Sequence, residues 1–145
     1  MRKRWFMLLT LLPLVLILLH GCQKTIREND VAYISVVVDR IMQGIMESSY
    51  EKFSQDLNPT MKNAFDVTAF MNLKTMLDEK VGPYQSKKFC RAFKENKDNR
   101  FYTTVIYNAK FARETTAVVI TITTEELNGE IKVAGLYFNS PNLRR

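Results

Sequence analysis

Few residues in this chain carry side chains that do chemistry, and their types and spacing limit what that chemistry is. The thiols are Cys22 and Cys90, and the one histidine is His20. A thiol becomes a nucleophile only where its pKa is depressed, and imidazole is the side chain that titrates near neutrality unaided. Glu125-Glu126 is an adjacent acidic pair in the strand half of the chain. Neighbouring residues of a strand point to opposite faces, so these carboxylates do not converge on one substrate, and their place beside a turn reads as solvated. Gly44, Gly82, Gly129 and Gly135 stand far apart, which leaves no glycine-rich phosphate cradle. Lys87, Lys88, Arg91, Lys94, Lys97 and Arg100 are balanced locally only by Glu95 and Asp98. Such a run suits anionic headgroups or an acidic partner. It also suits an edge strand kept from pairing with other chains, which is the simpler reading. Phe93, Phe101, Tyr102, Tyr107, Phe111 and Tyr137 are the candidate pocket. On the concave side of a curved sheet, tyrosine hydroxyls would orient a ligand among apolar rings; ordinary core filling accounts for the same residues.

The N-terminus decides how many of these groups reach the working protein. Arg2, Lys3 and Arg4 precede an apolar run over residues 6–19, broken only by Thr10 and Pro13. A bilayer span needs roughly 20 apolar residues, so this shorter run after a basic start reads as a signal-peptide core. Leu19-His20-Gly21-Cys22 then resembles the bacterial lipobox, with Leu19, Gly21 and Cys22 matching and His20 where a small residue is usual. The resemblance implies cleavage before Cys22 and a diacylglycerol on its thiol. Two or more acyl chains hold a protein on a membrane almost permanently, where one chain does not. The organisation expected is a lipoprotein signal peptide over 1–21, a lipidated cysteine and short tether over 22–29, and one domain over 30–145. Gln23, in place of Asp, resembles the Gram-negative sorting pattern for the outer membrane. In such a host the domain is therefore expected on the periplasmic face of that membrane.

Several functions fall away with residues 1–21. The formal net charge of +6 drops by three. Nucleic acid is not an expected partner, because the location is extracytoplasmic and no aromatic-basic recognition motif is present. Losing His20 removes Ser-His-Asp and Cys-His arrangements and a Cys/His zinc site. Any general base would have to be a carboxylate, Lys, Tyr or Cys90 with a pKa moved toward neutrality. The strands read below contain no acid, so no catalytic residue, metal or cofactor is expected. Cys90, left without a partner, is expected to be half-buried by Phe89 and Phe93, inert and slow to label.

The elements that position these residues change period once along the chain. Asn29 or Asp30 is the expected cap of a long helix with Val31, Ile34, Val38, Ile41, Met42, Ile45 and Met46 on its apolar face. A short helix from Ser49 carries Tyr50, Phe53 and Leu57. Asn58-Pro59 breaks it and starts another turn through Phe65. Asp66 caps a further helix that ends at Gly82-Pro83. Strands follow over 84–94, 101–111, 115–124 and 131–138, with turns at 95–99 and 112–114 and an Asn-Gly hairpin at 128–129. Helices first and strands after predict an α+β fold, with the N-terminal helices packed on a curved four-stranded antiparallel meander.

Tyr50-Glu51-Lys52-Phe53, Val81-Gly82-Pro83-Tyr84, the 102–111 strand and Lys132-Val133-Ala134-Gly135-Leu136-Tyr137 together resemble the nuclear transport factor 2-like cone, in particular small bacterial lipoproteins with that fold. The resemblance spans residues 30–139. It implies a cone-like domain and no activity, since the catalytic relatives use Asp, His or Tyr in the cone and no such motif aligns here. The expectation is a membrane-tethered, extracytoplasmic, non-enzymatic module, held by its N-terminal lipid, that binds an envelope protein or a small apolar ligand. The alternatives are a cone enzyme working with Tyr or carboxylates, and a structural accessory subunit of an envelope complex.

Overall fold

A computed structural model describes residues 26–145; the expected signal peptide and Cys22 lie outside the described residues. Helix α1, Ala32–Met46, forms because Ile34, Val37, Val38, Ile41, Met42 and Ile45 recur at helical spacing, and all are buried. A 3-10 turn, Glu28–Val31, precedes it. Asn29 and Asp30 do not cap α1 as expected; Asp30 instead pairs with Arg27 at 3.2 Å. The next three helices start as their sequences dictate. Ser49 Oγ accepts from the Lys52 N–H ahead of α2, Tyr50–Ser54. Asn58 Oδ1 accepts from the Met61 N–H at 2.7 Å ahead of α3, Pro59–Ala64. Asp66 Oδ1 accepts from the Ala69 N–H at 2.8 Å ahead of α4, Val67–Lys80. Gly82 ends α4 with φ +78°, its N–H returning to the Leu77 carbonyl at 2.9 Å.

Four strands follow: β1 Tyr84–Lys97, β2 Arg100–Phe111, β3 Val118–Leu127 and β4 Glu130–Asn139. They pair antiparallel in the order β1-β2-β3-β4, and the sheet stays open. The fold is α+β, four helices and then a four-stranded meander, among the described residues. Both long hairpins use two-residue turns with positive φ, Asp98-Asn99 and Asn128-Gly129. The first turn is tighter than expected, so β1 runs on to Lys97. The third strand is displaced from residues 115–124 to Val118–Leu127 and takes Glu125 and Glu126 into the sheet.

The registers Val105↔Ile122, Tyr107↔Ile120 and Ala109↔Val118 put one set of alternating residues on the helix side, and all of these are buried. Val133 and Phe138 of β4 join them in the core with the apolar row of α1. At one end, Phe53, Phe65, Phe70 and Tyr50 stack beneath α2 and α4, with Phe53 and Phe70 ring centroids 4.8 Å apart. The α2–α3 junction is sewn to the free edge of β4. The Asn58 N–H donates to the Val133 carbonyl at 2.9 Å, and the Val133 N–H donates to the Asp56 carbonyl at 2.8 Å. No helix of the described residues is long and apolar enough to cross a membrane.

Gly44 stands at a close approach of α1 to α2. A Cβ there would stand 2.5 Å from the Phe53 nitrogen and 2.9 Å from its Cα, both backbone atoms that cannot swing aside. Ala should raise helix propensity by about 1 kcal/mol, yet overpacking against backbone outweighs it. Gly44→Ala is expected to destabilise the domain by about 2 kcal/mol net, lowering Tm by about 5–10 °C. An unchanged or higher Tm would show that α1 and α2 are not in contact here.

Candidate functional site

Three constellations, the first of them a cleft, emerge from this frame. The cleft, about 610 Å³, opens where the C-terminal ends of α1 and α4 meet the end of the sheet. Met42, Ile45 and Met46 line it from α1, Leu77 and the Lys74–Asp78 ion pair from α4, and Phe111 and Arg113 from the end of β2. Gly82, Pro83 and Tyr84 form the crossing between α4 and β1. Gly82 has a second role here besides its positive φ: a Cβ at this point would lie 3.1 Å from Arg113 Nε. Its bare backbone is what lets the Arg113 side chain lie across the crossing. Arg113 is exposed, and among the described residues no carboxylate pairs with it. The wall is therefore apolar and rich in methionine, a side chain that adapts to irregular shapes, with one free guanidinium at the rim.

Tyr84 packs edge-on against Phe111 with centroids 5.6 Å apart. Burial, and secondarily the negative charge of Asp39, push its phenol up to about 12. It stays protonated at neutral pH, with its hydroxyl hydrogen kept.

A second constellation lies between α1 and β1–β2. The Lys87 ammonium, on a side chain only 9% exposed, pairs with Asp39 of α1 and sits 5.6 Å from the centre of the Tyr107 ring. Tyr107 is also pushed up to about 12, first by burial and then by Asp39 and Glu28, while Ser35 acts in the opposite sense. The third constellation surrounds Glu125. Its carboxylate is buried and accepts from Asn58 Nδ2 at 2.6 Å, with the exposed Arg100 guanidinium at 3.6 Å. The expectation of a solvated turn for Glu125 is thereby corrected. β3 runs three residues past Thr124, and the α2–α3 junction brings Asn58 over to cover the carboxylate. Glu126 remains exposed.

The six candidate pocket residues do not share one surface. Tyr107 and Phe111 point to the helices and are buried. Phe93 pairs with Thr104, and Tyr137 with Thr121, on the opposite face, where Tyr102 also lies half-buried. Phe101 stands at the hairpin end, 71% exposed. Of the six, Phe111 alone reaches the cleft. Cys90 is exposed, contrary to the expected half-burial. The cause is the break in register between Phe89 and Arg91: Phe89 packs towards Tyr107 and the extra residue is turned out.

No cluster of three His, Cys, Asp or Glu able to hold a metal occurs among the described residues. No family model, curated protein or solved structure matches the chain.

The raised phenols have a consequence for stability. A tyrosine whose folded pKa lies above its unfolded value of about 10 favours folding below pH 10, and that stability is lost as pH rises through the window to about 12. Denaturant midpoints measured across this window should fall more steeply for the parent than for Tyr84→Phe/Tyr107→Phe. Parallel profiles would contradict the burial of these hydroxyls.

Proposed function

We propose that the chain is a lipoprotein anchored through Cys22 on the outer side of a cytoplasmic membrane, on the periplasmic face of the outer membrane in a two-membrane host. Its single domain acts as a non-enzymatic binding module. A cone-like arrangement of the nuclear transport factor 2 kind is the fold reading that goes with it. The signal-peptide pattern and lipobox-like tetrad at residues 19–22 support the anchor.

One observation carries the binding reading: the apolar cleft between α1, α4 and β2 with Arg113 unpaired at its rim. Clefts of roughly 300–1,000 Å³ with apolar walls and a few convergent polar groups are the usual form of small-molecule sites. The ligand that fits is amphipathic, with an apolar body against the exposed Met46 and Pro83 and an acidic end at Arg113. Tyr84, which lines the cleft, would supply an orienting hydroxyl. The Lys74–Asp78 pair is already mutually satisfied at 2.5 Å, so it contributes rim charge without competing for the ligand's acidic end.

Anilinonaphthalene sulfonate has the required chemistry, an apolar ring system with one anionic group, and its fluorescence reports binding. Its affinity for the purified protein is expected to fall about tenfold in Arg113→Glu, the range measured for losing a charge-assisted contact. It should fall comparably in Met46→Trp, which fills the cleft, with circular dichroism unchanged in both. Affinity unchanged in both variants would contradict this assignment.

A further inference from the structure

We propose that the sheet face turned away from the helices, across β1 and β2, seats on anionic lipid headgroups beside the point of attachment; this rests on the lipid anchor at Cys22. The register sorts the basic residues of the hairpin. Lys87, opposite Ala109, and Lys94, opposite Thr103, fall on the helix side, where Asp39 neutralises Lys87. Lys88 opposite Asn108, Arg91 opposite Ile106, Lys97 opposite Arg100, and Lys110 all fall on the other face. Glu95 is the one acid that β1 and β2 contribute there, opposite Tyr102. Among the described residues Lys88, Arg91, Lys97 and Lys110 have no carboxylate in ion-pair range, and only Arg100 reaches one, Glu125 at 3.6 Å. A row of unneutralised cations keeps an edge from pairing, but it also builds a field that an anionic surface answers. Aromatic rings stand among them on the same face: Phe93, Tyr102 and, two strands on, the exposed Tyr137. Such amphipathic rings settle at the level of lipid headgroups.

The path of the chain places this face at the membrane. The Ile26 N–H donates to the Ala92 carbonyl at 3.2 Å, so the N-terminal segment joins the sheet at the free edge of β1, next to Arg91. Only Gln23, Lys24 and Thr25 separate Ile26 from Cys22. An extended chain spans at most about 3.6 Å per residue, so the lipid enters the membrane within about 14 Å of that edge. A tether so short holds the basic row close to the headgroups. The helix face, with the cleft at its end, is left towards the aqueous side.

Cys90 supplies the reporter, since it is exposed on β1 beside Arg91 and would be the one free thiol once Cys22 is acylated. The lipidated protein, purified from membranes, is inserted from outside into preformed vesicles. These are either pure phosphatidylcholine or equal parts phosphatidylcholine and phosphatidylglycerol. Alkylation by a polyethylene glycol maleimide, too bulky to enter the headgroup layer, is then timed. The rate is expected to be at least about fivefold lower on the anionic vesicles, with the difference abolished by high salt. The ratio of the two rates should approach one in Lys88→Glu/Arg91→Glu. Using the ratio cancels any change in intrinsic thiol reactivity that the charge reversal causes. One labelled thiol with equal rates on both vesicles would overturn the placement and leave the anchor standing. Two labelled thiols on a chain that does not float with the vesicles would overturn the anchor and the placement with it.

Discussion

An antiparallel sheet of four strands with one apolar face has to bury that face, and α1 is the only long apolar surface in the described chain that can do so. Ile34, Val38, Ile41 and Met42 of α1, and Val105, Ile120, Ile122 and Val133 of the sheet, are all at or below 1% exposure. Each Å² of apolar surface that this contact removes from water contributes about 25 cal/mol to folding. Everything else is arranged around it. The helices share one side of the sheet, Gly44 admits α2 against α1, and the cleft forms where α1 ends before the sheet does. The other side of the sheet is left to water or to a surface.

Charged groups then fix how the helices lie on that contact. Arg40 of α1 pairs with Asp56 before α3, Asp39 of α1 pairs with Lys87 of β1, and Asn58 covers Glu125 of β3. Apolar packing alone is tolerant of sliding. Partly buried ion pairs return little net energy, because desolvation offsets attraction, but a misplaced partner leaves the more buried charge of each pair without its counterion. We read these contacts as the features that select one register of helices on sheet. Asn58 serves twice, since its Oδ1 caps α3 while its Nδ2 holds the carboxylate.

Much of this was legible in the chain itself. The change of period at Tyr84, the Asp66 cap, the Gly82 stop and the Asn128-Gly129 turn are local signals with local causes, and each appears where the residues require it. Glu125 escaped because the strand was ended at the last β-branched residue, Thr124. A two-residue turn at 128–129 demands that pairing run up to Leu127, so counting back from Asn-Gly would have placed both glutamates in the sheet. Cys90 escaped because a bulge leaves no trace in a period-2 pattern that is already irregular. The candidate aromatics share a side-chain type but not a face. Register places Tyr107 and Phe111 on one face, Phe93, Tyr102 and Tyr137 on the other. Long-range register is what sequence spacing does not report.

The cleft at the end of the helix layer, proposed as a binding site, and a basic, aromatic face on the far side of the sheet make physical sense together if the domain is held at a membrane by a very short tether. The most direct measurement of that claim is the intact mass of the protein extracted from membranes of cells expressing the full chain, with fragmentation of its N-terminal peptide. The account predicts a chain that begins at Cys22, lacks residues 1–21 and carries a diacylglycerol on that cysteine. A chain retaining residues 1–21, or one beginning at an unmodified Cys22, would contradict it.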